Sequence, residues 1–189
     1  MNISPSEAEE ALTLIQAMMK KTRKSISASG AYKFLVLWGI IWFLGFLNSQ
    51  FLSEDLSPYI WMGLNVIGGI ASVIIGIRMN LNVRSEKSND LGKRIGVFWA
   101  LLFVFCFITI TIFSPIDGKQ LAMAIIVFVT IGWVAMGLLL SFASVRWGLA
   151  LFGLAIIAYF LFPTIFYLLM GVVGGGGMVL LGLYIRSRW

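Results

Sequence analysis

The sequence predicts an all-α membrane protein: a polytopic bundle of six transmembrane helices arranged as three hairpins, preceded by a cytoplasmic amphipathic helix. Three observations carry this expectation. Hydrophobic residues make up 60% of the 189 residues, with a mean hydropathy of +0.96, more apolar surface than one small water-soluble core can bury. Apolar runs occupy residues 34–52, 57–77, 95–114, 120–142, 147–162 and 164–185, most of them near the roughly 20 residues a helix needs to cross a bilayer. Finally, the 14 basic and 8 acidic residues all lie outside these runs, and every basic residue except Lys119 falls on one side of the resulting pattern. Lipid offers no partner for backbone polar groups, and the runs show no period-2 alternation, so helices are expected and not a barrel.

Residues 1–30 form the first unit, an amphipathic helix over 4–24 followed by a hinge. Ser4 supplies a cap, Pro5 the first helical position and Glu7 a carboxylate three residues after the cap, the signature of a helix start. Glu7, Glu9 and Glu10 stand near the positive end of the helix dipole, and Lys20, Lys21, Arg23 and Lys24 near the negative end. Ala8, Ala11, Leu12, Ile15, Met18 and Met19 share one face. That face either lies on the inner leaflet or docks into a protein partner through Leu12, Ile15 and Met19. Its lack of Trp and Phe counts against the first. The small and polar residues from Ser25 to Gly30 make the hinge.

Residues 31–189 form the bundle. Span one carries the stripe Phe34, Trp38, Trp42 and Phe46 at helical spacing, expected as packing or lipid contact, with a pocket for an apolar ligand as the alternative. It ends at Asn48, Ser49 and Gln50 without a small-residue cleavage site and reads as a retained helix. On span two, Gly68, Ser72 and Gly76 recur every four residues, which lets helix backbones approach closely, within the bundle or in an oligomer. Asn65 is the amide set well inside a span, either bridging two helices or lining a path for a neutral solute together with hydroxyls such as Ser72, Thr109 and Thr130.

Cys106, the one cysteine, lies in span three and reads as a packing residue, with no disulfide framework or thiol cluster. Pro163 is expected to start span six after a tight turn. Span six holds the packing glycines Gly171 and Gly175 and the run Gly174 to Gly177. Each glycine costs a helix about 1 kcal/mol relative to alanine in water, so the run either bends or unwinds into a backbone-lined site, or packs as a thin helix. Glycines followed by Arg78 in span two and by Arg186 in span six hint at a repeat of hairpins. Trp61, Trp147 and Trp189 read as interfacial anchors.

The basic side holds both termini, the loop from Arg78 to Arg94, and Arg146. By the positive-inside rule that side is cytoplasmic, which places a multi-pass protein in a cell membrane, expected to be bacterial and cytoplasmic because no eukaryotic targeting signal is seen. The net charge of +6 then faces anionic lipid headgroups, the expected partners, and not nucleic acid.

The chain has no histidine and no ionisable side chain at bilayer depth, which removes imidazole ligation, the usual general base, proton relays and voltage sensing. No metal, cofactor or catalytic residue is expected. Six spans, this length and inward termini resemble, in architecture alone, the substrate-binding subunits of ECF-type vitamin transporters and the HdeD-like small stress proteins, and the outer loops here are too short and apolar to cap a vitamin. The expected function is that of a non-enzymatic accessory or regulatory membrane subunit acting through helix contacts and its N-terminal helix. The alternative is a transporter- or channel-like protein that binds or passes a neutral or apolar molecule by way of Asn65, Trp38, Trp42, Gly174 and Gly175.

Overall fold

The computed structural model describes residues 12–14, 30, 32–53, 55–82, 86–114, 116–140 and 145–188. Among them the chain is 94% helix with no strands. The helices are α1 (Tyr32–Phe51), α2 (Ser57–Asn82), α3 (Glu86–Phe113), α4 (Gly118–Leu140) and α5 (Val145–Leu161), then a last span in four pieces. That span opens with a 3-10 turn (Pro163–Ile165), runs through α6 (Phe166–Leu169) and a π-helical segment (Met170–Gly175), and ends in α7 (Gly176–Arg188). Five helices are long and apolar enough to cross a membrane: Tyr32–Phe51, Ser57–Met79, Lys93–Phe113, Gly118–Leu138 and Pro163–Ser187. The fifth apolar run of the sequence forms the 17-residue helix Val145–Leu161, about 26 Å long at 1.5 Å per residue and a little shorter than a ~30 Å hydrocarbon core.

Of the amphipathic segment over 4–24, the structure describes residues 12–14, which are helical and exposed. Ile15, Met19 and the rest of that face lie outside the described residues. Gly30 adopts φ +77°, a left-handed conformation that glycine takes without strain. It accepts a hydrogen bond from the Lys33 N–H at 3.0 Å and turns the chain into α1.

Helix α1 is the hub, buried along two sides. Towards α2, Gly45 receives the Trp61 ring and Gly68 receives Ile41 and Trp38. Towards the last span, glycines on both helices bring the backbones together. Helices α3 and α4 pack where Gly132 meets Trp99 and Leu102, and α4 and α5 where Gly148 meets Val134. The centre is filled by Phe166, Ile126 and Met170, each with no exposed surface, and by Ala155 and Ala158.

Sequential neighbours α1–α2 and α3–α4 do touch, yet the most extensive contacts lie between α1 and the last span and between α4 and α5. Glycine explains the first of these. Without Cβ atoms at Gly39, Gly171, Gly175 and Gly182, α1 and the last span approach closely enough for backbone to meet backbone.

Candidate functional site

The last span departs from regular helix where its glycines cluster. The Gly176 N–H reaches back five residues to the Gly171 carbonyl, the π-helical bond, and also to the Val173 carbonyl. Such single-turn π segments mark an extra residue in a helix and recur at functional sites. One side of the turn presses on α1. A Cβ on Gly175 would stand 2.5 Å from the Phe43 amide nitrogen, and one on Gly39 would stand 2.8 Å from the Gly175 carbonyl oxygen. The seam continues in antiparallel register. Gly171 meets Phe46 and the Phe43 carbonyl, Gly182 meets Val36 and the Tyr32 carbonyl, and the Arg186 guanidinium lies 5.9 Å from the Tyr32 ring centre.

The other side of the π turn faces a cleft. Trp133 from α4, Trp147, Ala150, Leu151 and Leu154 from α5, and Val173, Gly174, Gly177, Met178 and Leu181 from the last span enclose about 170 Å³ of apolar space. Gly177 makes the opening, since a Cβ there would meet nothing within 4 Å. Gly174 closes the inner wall against Met170 and Leu151.

A polar knot occupies the far end of α1. The Trp61 indole N–H donates to Ser49 Oγ at 2.8 Å, and Ser49 donates to the Gly45 carbonyl. Ser49 has only one proton, so the 3.0 Å contact between the Ser49 and Ser57 hydroxyls has Ser57 as donor. Ser57 in turn accepts from Asn48 Nδ2 at 3.1 Å. The chain of donors therefore runs one way, from Asn48 through Ser57 and Ser49 to the Gly45 carbonyl. Asn48 is 6% exposed, and its Oδ1 has no hydrogen-bond partner among the described residues. Beside it, Gln50 clasps the start of the last span, donating to the Thr164 carbonyl and accepting from the Leu168 N–H. An aromatic relay joins the knot to the core, with Trp61 edge-on to Phe46 at 5.1 Å and Phe46 edge-on to Trp42 at 5.5 Å.

No family model, curated protein or solved structure matches this chain.

The residues singled out from the sequence separate into groups. Trp42 and Gly174 come together, the carbon that a Gly174 side chain would add lying 4.0 Å from the indole, and Gly175 sits in the α1 seam. Trp38 belongs to the α2 side, where its N–H donates to Ser72 at 3.2 Å over Gly68. Asn65 is exposed, and its Nδ2 is taken up by the Trp61 carbonyl one turn back. Gly68 and Ser72 pack on α1, whereas Gly76 has no neighbour within 4 Å of where a Cβ would stand. Gly171 and Gly175 face α1, Leu12 is 57% exposed, and Ile15 and Met19 lie outside the described residues.

Gly39, Gly45 and Gly182 were not expected as packing positions, and the knot was not expected at all. The only signal for the knot was three consecutive polar residues, Asn48 to Gln50, closing an apolar run just before Ser57. Trp61, expected as an interfacial anchor, is half-buried and hydrogen-bonded inside the bundle. The site as a whole can hold helices together and accept apolar groups. Among the described residues, no cluster of three or more histidine, cysteine or acidic side chains converges.

Proposed function

We propose that this chain is a multi-pass membrane subunit that works by contact, as an accessory or regulatory partner of another membrane protein, without covalent chemistry of its own. One observation carries the reading. In α2 and α3 only 6% of the apolar stretch is buried, against 33% in α1 and the last span. Helix α2 uses a single stripe, Trp61, Leu64, Gly68 and Ser72, towards α1, and leaves Met62, Val66, Ile70 and Val73 more than half exposed. Gly63, Gly69 and Gly76 have open space where a side chain would begin. A glycine facing lipid gives up helix propensity with no packing in return, whereas one facing a partner helix permits close approach.

In this reading all six apolar helices span the membrane as three sequential hairpins, α5 included, with the basic loops and both termini in the cytoplasm of a bacterial cell. The segment 4–24 is the amphipathic helix, and Leu12, Ile15 and Met19 are its contact face. Lipid with anionic headgroups covers the inner surface.

The test compares the full-length chain with a version lacking residues 1–24, each extracted from native membranes into nanodiscs and weighed by native mass spectrometry. A stoichiometric protein partner held by the full chain and lost with the segment is the expected outcome. A partner-free chain in both preparations would overturn the subunit role.

The small-molecule alternative is favoured by one feature, the apolar cleft beside Gly174 and Gly177. Passage is not supported between α1, α2 and the last span, where Ile41, Trp42, Phe46 and Met170 are each 5% exposed or less. The alternative therefore narrows from passage to binding.

A further inference from the structure

The cleft between α4, α5 and the last span is apolar throughout, and its shape and depth belong together, with a cation next in sequence to one of its lining residues. Its depth is set by residues along the last span, from Leu181 near the basic end to Val173 near the middle of Pro163–Ser187. Eight residues of helix rise roughly 12 Å, close to the thickness of one leaflet, about half of the ~30 Å hydrocarbon core. The cleft is open sideways, because Trp147, Ala150, Val173 and Gly177 in its lining are exposed on the outside of the bundle. That outside is hydrocarbon.

At the basic end stands Trp147, 54% exposed, on the first turn of α5 directly after Arg146. Arg146 is exposed and has no ion-pair partner among the described residues. A ligand entering from this leaflet would lay an apolar tail along Trp147, Leu154 and Gly177, with its polar end at the end of the cleft where Arg146 precedes Trp147 and a long side chain can reach along the surface. An apolar cavity of about 150 Å³ accepts a group the size of benzene, so the 170 Å³ here suits a stretch of acyl chain and not a whole lipid.

We propose that this cleft is a binding site for one anionic phospholipid of the leaflet on the basic side, one acyl chain seated against the gap left by Gly177 and the headgroup phosphate paired with Arg146. The glycine run then has two tasks. Gly175 lets the last span meet α1, while Gly177, on the other side of the π turn, leaves room for a chain that no side chain of the protein fills. The site stands independently of the subunit role, because it lies within the bundle of a single chain, and it rests on the proposed reading that α5 crosses the membrane.

The experiment uses the purified full-length chain reconstituted in vesicles of equal phosphatidylglycerol and phosphatidylcholine, released into detergent and examined by native mass spectrometry. The wild type is expected to retain one phosphatidylglycerol in preference to phosphatidylcholine. Gly177→Leu starts from a Cβ position with no atom within 4 Å, projects into the gap and is expected to lose the retained lipid. Arg146→Gln is expected to keep a lipid but lose the headgroup preference. Ala150→Leu fills the same cleft from α5 and serves if Gly177→Leu does not fold, with circular dichroism and melting temperature as folding controls. Equal retention by the wild type and a folded cleft-filling variant would overturn the proposal, as would a wild type indifferent to headgroup.

Discussion

Gly175 and Gly177 stand two residues apart and answer to opposite demands. A methyl group on Gly175 would sit 2.5 Å from the Phe43 nitrogen and 2.9 Å from its Cα, backbone atoms that no rotamer change can move aside. Gly175→Ala is therefore expected to destabilise the protein by about 1–3 kcal/mol, the usual cost of overpacking. At Gly177 the same methyl meets nothing within 4 Å, and replacing glycine by alanine in a helix favours the folded state by up to about 1 kcal/mol. Thermal unfolding in one detergent should thus rank Gly175→Ala below wild type and Gly177→Ala level with it or above. Equal melting of both variants would mean that α1 and the last span do not meet backbone to backbone at Gly175. The run of four glycines was plain in the sequence. Which of them touches backbone was not, because the π turn resets the facing of the residues after it, and no residue pattern announces a π bond. The knot was hidden for a similar reason, since Asn48 and Ser49 meet Ser57 and Trp61 only through the turn that joins α1 to α2.

At the scale of elements, the π segment sets the register of everything after it. Each residue of an α-helix turns the chain by about 100°, so deleting one glycine from the run would rotate α7 against α1 by about that angle unless the π turn absorbed the loss. In the present register Gly182 faces α1, its absent Cβ 2.7 Å from Val36 Cγ2, and Arg186 reaches the Tyr32 ring. A Cβ at position 182 would lie 3.1 Å from the Tyr32 carbonyl oxygen, so the seam must give by a few tenths of an ångström, and cysteines at the facing positions 36 and 182 should then form a disulfide, whose Cβ atoms lie roughly 3.5–4.5 Å apart. In a Cys106→Ala background, Val36→Cys with Gly182→Cys is expected to cross-link under mild oxidation, and removal of Gly176 to abolish the cross-link. Cross-linking that survived the deletion would show that the π turn takes up the lost residue and that α7 keeps its facing. Helix existence was legible throughout the bundle, because apolar length alone predicts it. Partner choice was not: Gly39 on α1, the counterpart of Gly175, lies in an aromatic-rich stretch, Leu37 to Phe43, where a lone glycine gives no stripe to read.

For the whole molecule, sidedness follows from the number of crossings, and α5 decides it. Its 17 residues are about 26 Å of helix, a mismatch of a few ångströms that a bilayer accommodates by local thinning at modest cost. The chain also continues directly through Phe162 into Pro163–Ile165, with no polar loop to hold that end in water. Ser53 and Ser114 are exposed and separated by two apolar helices, α2 and α3, so cysteines there should react from the same side. Ser187, exposed in α7, is separated from Ser114 by α4, α5 and the last span. If all three cross, Ser187→Cys must react from the opposite side. If α5 lies along the surface, only two crossings remain and it must react from the same one. With Cys106→Ala as background and a membrane-impermeant maleimide on spheroplasts, Ser53→Cys and Ser114→Cys are expected to label in intact cells, and Ser187→Cys only after lysis. Labelling of Ser187→Cys in intact cells together with Ser114→Cys would reduce the bundle to five spans. That parity would put the basic ends of the last span and α2 on opposite sides, and the positive-inside rule could no longer orient the chain as one unit.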